Sequence, residues 1–524
     1  MNAETILPLF PLLPVAGIIL HLFFTYVLKR EPGRATLLGS LGLQTAAAAA
    51  IIFYFLQNGS TDIGVAVSRW NFSIQLALNR ERVFLLAALM VPLLFALAKT
   101  ISDLASQREN VVNSIPPPIF LFYIAACSGI LMTADIFNFF VFYELMIMAA
   151  YILISVEGKY FASIKYMLVG GISSCFFLAG IIFVYASGLP FTFSALADLS
   201  SLPLKNAKFI LLFFAAAFSI KSALFPASSW LPTCHSAANG TVSAFLSSFT
   251  VVSGFFGLYY LVLLPAESLS YTVPFTVLKY LSLITMGVSA LFIFFEGEIK
   301  RCIAGTTVFS AGFIGLLFSV GAYEPAWIYI MVHAFYKSVL FHQADTLSKE
   351  SLYISGKRTT LIIGAVMLLF AAGLVPSLPH FIKSYAGLSG PGLLSVLYGA
   401  DFLLLAGFTK FGTDFKPGGP SRPGDRRWKQ GWMLILIIPL FFALYGLFFF
   451  FFPVPLRKLF YGKALIFGIE WGVVAAAFVW GRLIYPKISM VSNIDTRFVF
   501  RNLNIELFFI LVLFGGWTAF LFFL

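Results

Sequence analysis

The chain is 524 residues long, 60% apolar and 17% aromatic, with 11% charged residues and a mean hydropathy of +0.94. Soluble domains carry roughly 25% charged residues, so this chain cannot clothe a water-facing surface and is expected to be an all-α polytopic membrane protein; a disordered chain, a collagen and a disulfide-stapled secreted module are excluded with it. The net charge of +12 comes without a basic patch interleaved with aromatics, so nucleic acid is not an expected partner.

A hydrocarbon core of about 30 Å takes roughly 20 helical residues. Sixteen such runs follow one another, at roughly 6–28, 35–56, 83–101, 116–134, 135–157, 163–187, 208–230, 241–264, 274–296, 302–321, 325–347, 361–385, 391–412, 431–453, 465–485 and 503–523. The first is long enough to span and is followed by Lys29, Arg30 and Arg34, so it is read as a span and not as a cleavable signal. Residues 65–78 partly alternate apolar and polar side chains, which suits a half-buried β-hairpin. The fourth and fifth runs are nearly continuous and must turn near Thr133–Asp135. Residues 413–430, rich in Gly, Pro and Arg, read as a cytoplasmic loop.

Of the 34 Lys and Arg residues, 21 fall on one side of this arrangement, nine on the other, and Lys165, Lys221, Lys337 and Lys383 fall inside spans. The positive-inside rule then puts both termini outside, in a cell inner (plasma) membrane. The basic clusters fix topology and touch anionic headgroups. Cys127, Cys175, Cys234 and Cys302 lie far apart without a C-x-x-C pair, so no metal, haem or iron–sulfur cofactor is expected.

A charged side chain at the bilayer centre costs about 2.5–3.5 kcal/mol or more. Glu144, Lys221, Lys337 and Lys383 all lie deep in spans, with His333 one turn before Lys337 on the same face. One carboxylate cannot pair with three lysines, and unpaired buried lysines exchange protons near neutral pH. These groups therefore read as a row of proton carriers linked by water, with a structural Glu144–Lys221 bridge as the bland alternative. Pro226 follows Lys221, and Pro376 and Pro379 precede Lys383. Proline breaks beside a charge inside a membrane point to an ion site.

With these residues in view, the chain resembles the antiporter-like, proton-translocating subunits shared by respiratory complex I, membrane-bound hydrogenases and Mrp-type sodium/proton antiporters. The likeness rests on ADIFNFFVFYE (Ala134 to Glu144), Lys221 followed by LPTCHSAANGTVSA, IKRCIAGTT (Ile299 to Thr307), HAFYKSVLF (His333 to Phe341) and Gly373 to Lys383. A shorter likeness to D-type Mrp subunits lies in SNIDTRFVFR (Ser492 to Arg501). The resemblance implies two inverted five-helix repeats with the seventh and twelfth spans broken. It implies a division into 1–115, with the outer hairpin; 116–264 and 265–412, the two repeats; and 413–524, the loop and last spans. It also implies a Glu144–Lys221 charge pair in the first half-channel, Lys337 with His333 in the second, and Lys383 at the exit. Thr250, Ser253 and His235 are candidate bridging groups.

Three positions depart from the family pattern. Val252 stands where a central lysine joins the half-channels, Asn239 replaces a proline, and Gly305 replaces a tyrosine. The chain carries no cofactor or nucleotide motif and no catalytic site of its own. The leading expectation is thus a translocating subunit of a redox-driven or multi-subunit antiporter complex, carrying protons, with sodium as the alternative ion. Its partners are other membrane subunits and the lipid bilayer. A subunit of a proton-translocating oxidoreductase of the NADH-quinone or hydrogenase type fits this expectation. The alternatives are a non-pumping scaffold subunit and a membrane partner of an inorganic-carbon uptake system.

Overall fold

A computed structural model describes residues 3–29, 33–65, 74–105, 115–156 and 158–349, with isolated positions at 367, 437, 439, 440, 475, 514, 515 and 518. The helices are α1 (Ala3–Leu22), α2 (Gly33–Asn58), α3 (Arg80–Ala105), α4 (Pro117–Met132), α5 (Ile136–Ser155), α6 (Tyr160–Ala186), the short α7 (Phe193–Leu196) and α8 (Leu204–Lys221). Then come α9 (Trp230–Ala237), α10 (Gly240–Phe245), α11 (Val251–Leu258), α12 (Leu264–Ser268), α13 (Val273–Phe295), α14 (Ile299–Ser319) and α15 (Tyr323–Lys349). Each of the first eleven expected spans falls on helix, the seventh broken between Lys221 and Trp230. Among the described residues, eight helical runs are long and apolar enough to cross a membrane. Apart from those isolated positions, the expected spans from 361 onward lie outside the described residues, as do the 413–430 loop, Lys383 and the Ser492–Arg501 segment.

Local chemistry sets the element ends. Asp135 caps α5 by accepting from the Asn138 amide at 2.7 Å, and Asn239 caps α10 by accepting from the Val242 amide at 3.0 Å. The asparagine that departs from the family pattern thus supplies an N-cap. Gly305 has an equally local reason: a Cβ there would come within 2.7 Å of Ile293 on α13, whose Ser289 hydroxyl donates to the Gly305 carbonyl at 2.6 Å. A tyrosine side chain has no room between these helices.

The hairpin is present but sits earlier than its sequence pattern. Strands β1 (Thr61–Val65) and β2 (Ile74–Leu78) pair antiparallel, with Thr61 opposite Leu78. Its backbone continues into the turn between α4 and α5: the Ala134 amide donates to Gln75 O at 2.7 Å, and the Phe193 amide to Ala134 O at 2.9 Å. The α2–α3, α4–α5 and α6–α8 connections therefore share one end of the bundle. That sharing accords with three even-numbered connections in an alternating path.

The core is continuous. Helix α14 is buried along its whole length, and α13 packs along it, α6 along α8, and α3 along α15. The run Gly240–Ser268 is buried throughout Gly240–Leu263 and contains two π-turns, Leu246–Thr250 and Tyr259–Leu263. It is the central post of the bundle.

Candidate translocation site

Helix α8 ends at Lys221 because the chain leaves helical geometry there. Ala223 adopts a left-handed φ of 54°, Phe225–Pro226 is a cis peptide, and regular helix resumes only at Trp230. A break inside a membrane needs its backbone groups satisfied by protein or water. Here the Leu224 amide donates to Ser219 O at 3.1 Å, the Phe225 amide to Thr285 Oγ1 at 2.8 Å, and the Trp230 indole to Ile220 O at 3.2 Å.

Helix α6 grips both edges of this break with neighbouring residues. Lys221 donates to the Tyr166 hydroxyl at 3.0 Å, while Lys165 donates to the Ser229 carbonyl at 3.3 Å and to its hydroxyl at 3.2 Å. The Lys221 ammonium lies 5.0 Å from the ring centroids of Tyr143 and Tyr166. A cavity with room for about one water sits beside it, lined by Tyr166, Ser173, Ile220, Lys221 and Trp230. Tyr143 hydrogen-bonds Ser173 at 2.6 Å.

Glu144 is near enough to act on Lys221 through its field, yet Lys221 donates to Tyr166 and not to the carboxylate. No ion pair of Glu144 occurs among the described residues, and its Oε1 is buried without a hydrogen-bond partner. Phe137, Val141 and Met148 are 51%, 39% and 46% exposed, and their spacing places half-buried Glu144 on the same outward stripe of α5.

On α15, Lys337 is fully buried and donates to Ile303 O at 2.9 Å and to the Thr306 hydroxyl. His333 Nδ1 hydrogen-bonds the Tyr336 hydroxyl at 3.0 Å, and Tyr336 hydrogen-bonds Ser310 at 2.6 Å. His333 Nε2 hydrogen-bonds Ser247 at 3.2 Å, which in turn hydrogen-bonds Thr307 at 3.1 Å. His235 is stacked on Phe341, 4.9 Å between centroids, and lies within the field of Lys337 and Lys300. Both its ring nitrogens are buried without a hydrogen-bond partner.

Val252, on α11, is fully buried. Of the bridging candidates, Ser253 is engaged with its own helix, donating to Thr250 O at 2.7 Å, whereas the Thr250 hydroxyl hydrogen-bonds Tyr123 on α4 at 2.6 Å. Lys383 falls outside the described residues. Sequence reasoning missed Tyr123, Tyr143, Tyr166, Lys165 and Ser247. Lys165 had a visible signal as an intraspan lysine; the hydroxyls had none.

The transmembrane family of NADH:quinone oxidoreductases and Mrp antiporters matches residues 133–407, more than half of the chain. NADH-quinone oxidoreductase subunit N of Desulforudis audaxviator is 30% identical over 285 residues, 51% of this chain and 57% of that protein. NAD(P)H-quinone oxidoreductase chain 4 1 of Synechococcus elongatus is 27% identical, over 60% of each chain. The D-type subunit of the Na(+)/H(+) antiporter of Alkalihalophilus pseudofirmus is 27% identical over 67% of this chain and 71% of that one. The chain thus spans less than two thirds of the first two relatives. The fold is shared with a chain of the membrane-bound sulfane sulfur reductase, an archaeal respiratory membrane complex (TM-score 0.71, 20% identity, 90% and 99% covered). It is shared also with a chain of the Mrp complex from Dietzia (TM-score 0.69, 18% identity, 93% and 100% covered).

Proposed function

Because the chain belongs to the transmembrane family of NADH:quinone oxidoreductases and Mrp antiporters, we propose that it is an ion-translocating subunit of a multi-subunit membrane complex. The observation that carries this reading is Lys221: a fully buried ammonium at the end of a broken helix, held by a tyrosine hydroxyl beside a water-sized cavity. A lysine retained for packing alone would be replaceable by an apolar side chain at lower cost. An ammonium that can release its proton to a confined water can serve as a carrier. Lys337 and His333 offer the same chemistry in the second half, with Lys383 as the proposed exit.

Glu144 argues for neighbours. A carboxylate on an outward stripe of a membrane helix is tolerated when another chain supplies the countercharge or water. The energy for transport then comes from a redox partner or an existing gradient, with protons as the first candidate ion and sodium as the second. The two inverted repeats, 116–264 and 265–412, and a plasma-membrane setting with both termini outside belong to this proposal.

The intact complex, reconstituted in vesicles, tests it. Lys221→Ala should abolish ion uptake while assembly persists, and the purified single chain should exchange no ions. Native uptake by a Lys221→Ala complex would overturn the reading.

A further inference from the structure

By the resemblance, Val252 stands where a lysine would link Lys221 to His333, and this fully buried side chain has no atom that can carry a proton. The groups around Val252 offer a detour. Tyr123, fully buried on α4, hydrogen-bonds the Thr250 hydroxyl at 2.6 Å. The Cys127 thiol, one turn along α4 from Tyr123, lies within the field of Lys221. Ser247, three residues before Thr250, reaches His333 Nε2 at 3.2 Å. Ser247 and Thr250 both belong to the π-turn Leu246–Thr250, and such turns occur often at functional sites because they re-aim the side chains they carry.

We propose that Tyr123, Thr250 and Ser247 form a hydroxyl relay that carries protons around Val252, from Lys221 to His333. The proposal rests on the translocation reading above. Each hydroxyl takes a proton on its lone pair, passes its own to the next oxygen, and rotates to reset, so none holds a charge at rest and no co-reactant is consumed. Two intervals lack a direct hydrogen bond among the described residues, Lys221 to Tyr123 and Thr250 to Ser247, and the relay requires water at each. Ser253 is not on the route, since among the described residues its hydroxyl bonds only the Thr250 carbonyl, whereas the Tyr123 hydroxyl, 3.3 Å from Phe245 O, also meets the Thr250 hydroxyl.

The test uses the intact complex in vesicles with an internal pH dye, and Lys221→Ala as the reference for blocked transport. Tyr123→Phe and Thr250→Val, which remove one hydroxyl each, should lower proton uptake by about tenfold or more. Thr250→Ser should stay close to native. Val252→Lys placed in the Tyr123→Phe background should restore uptake, because an ammonium then fills the gap directly. Native uptake by Tyr123→Phe, with Lys221→Ala still blocked, overturns the relay and leaves the translocation reading standing. Equal loss in Thr250→Ser and Thr250→Val also overturns it, since packing and not the hydroxyl would then matter. Native uptake by Lys221→Ala removes both.

Discussion

Arg82 shows what a single buried charge can hold together. It is 1% exposed, its guanidinium lies 5.1 Å from the ring centroid of Phe256, 5.6 Å from Tyr260 and 5.8 Å from Phe193, and it donates to the Leu131 carbonyl at the end of α4. Desolvated cation–π contacts are worth about 2 kcal/mol, and an orphaned buried carbonyl costs about 1–3 kcal/mol. Arg82→Ala should therefore lower the thermal midpoint of the purified protein by several degrees, with Arg82→Lys intermediate; an unchanged midpoint would refute this. Lys337 makes a different kind of claim, because its proposed role is chemical. Lys337→Ala should leave assembly intact and abolish pumping, and an unchanged ion stoichiometry would leave this chain a scaffold. Glu144, Lys221, Lys337 and His333 were legible from sequence because charge in an apolar run is costly and therefore conspicuous. Tyr123, Tyr166 and Ser247 were not: hydroxyls are common in membrane helices, and their meaning depends on which oxygen a neighbouring helix brings opposite.

At the scale of elements, the post formed by α10 to α12 approaches the α8 break through glycine. A Cβ on Gly254 would come within 2.7 Å of the Ser222 amide nitrogen and 2.5 Å of its hydroxyl. Overpacking of this kind typically costs about 1–3 kcal/mol. Gly254→Ala should thus destabilise the protein and slow transport by shifting Lys221, whereas Gly171→Ala, where nothing lies within 4 Å, should do neither. Thermal melting and vesicle uptake of the two variants decide it. The break after Lys221 was readable from Pro226, because a proline cannot continue the ladder of helical hydrogen bonds. The turn at Thr133–Asp135 was readable because forty apolar residues cannot cross once. The π-turns were not, since one extra residue per turn leaves no mark on hydropathy. The hairpin was placed a few residues late: β1 starts at Thr61, where TDIGV mixes polar and apolar residues too briefly to show a period.

For the whole molecule, the shared end of the α2–α3, α4–α5 and α6–α8 connections fixes relative sidedness, and the distribution of Lys and Arg proposes which side is outside. In a chain with exposed Cys175 replaced by alanine, an impermeant thiol reagent applied from outside should label Ser60→Cys and spare Lys159→Cys. The reverse result would invert the topology. The stripe of α5 that carries Glu144 has a further consequence, for the lifetime of the chain in the cell. Before partners arrive that stripe faces lipid, and a charged group there costs about 2.5–3.5 kcal/mol. On the proposal above, the unassembled protein carries that cost at its own carboxylate, although α5 itself packs on α4 and α6, and is expected to be degraded faster than the assembled chain. Assembly removes the cost. Produced without partners, a Glu144→Gln chain should persist longer than the native chain in a pulse–chase measurement, and the difference should vanish once the complex forms; equal half-lives before assembly would show that turnover does not read this residue.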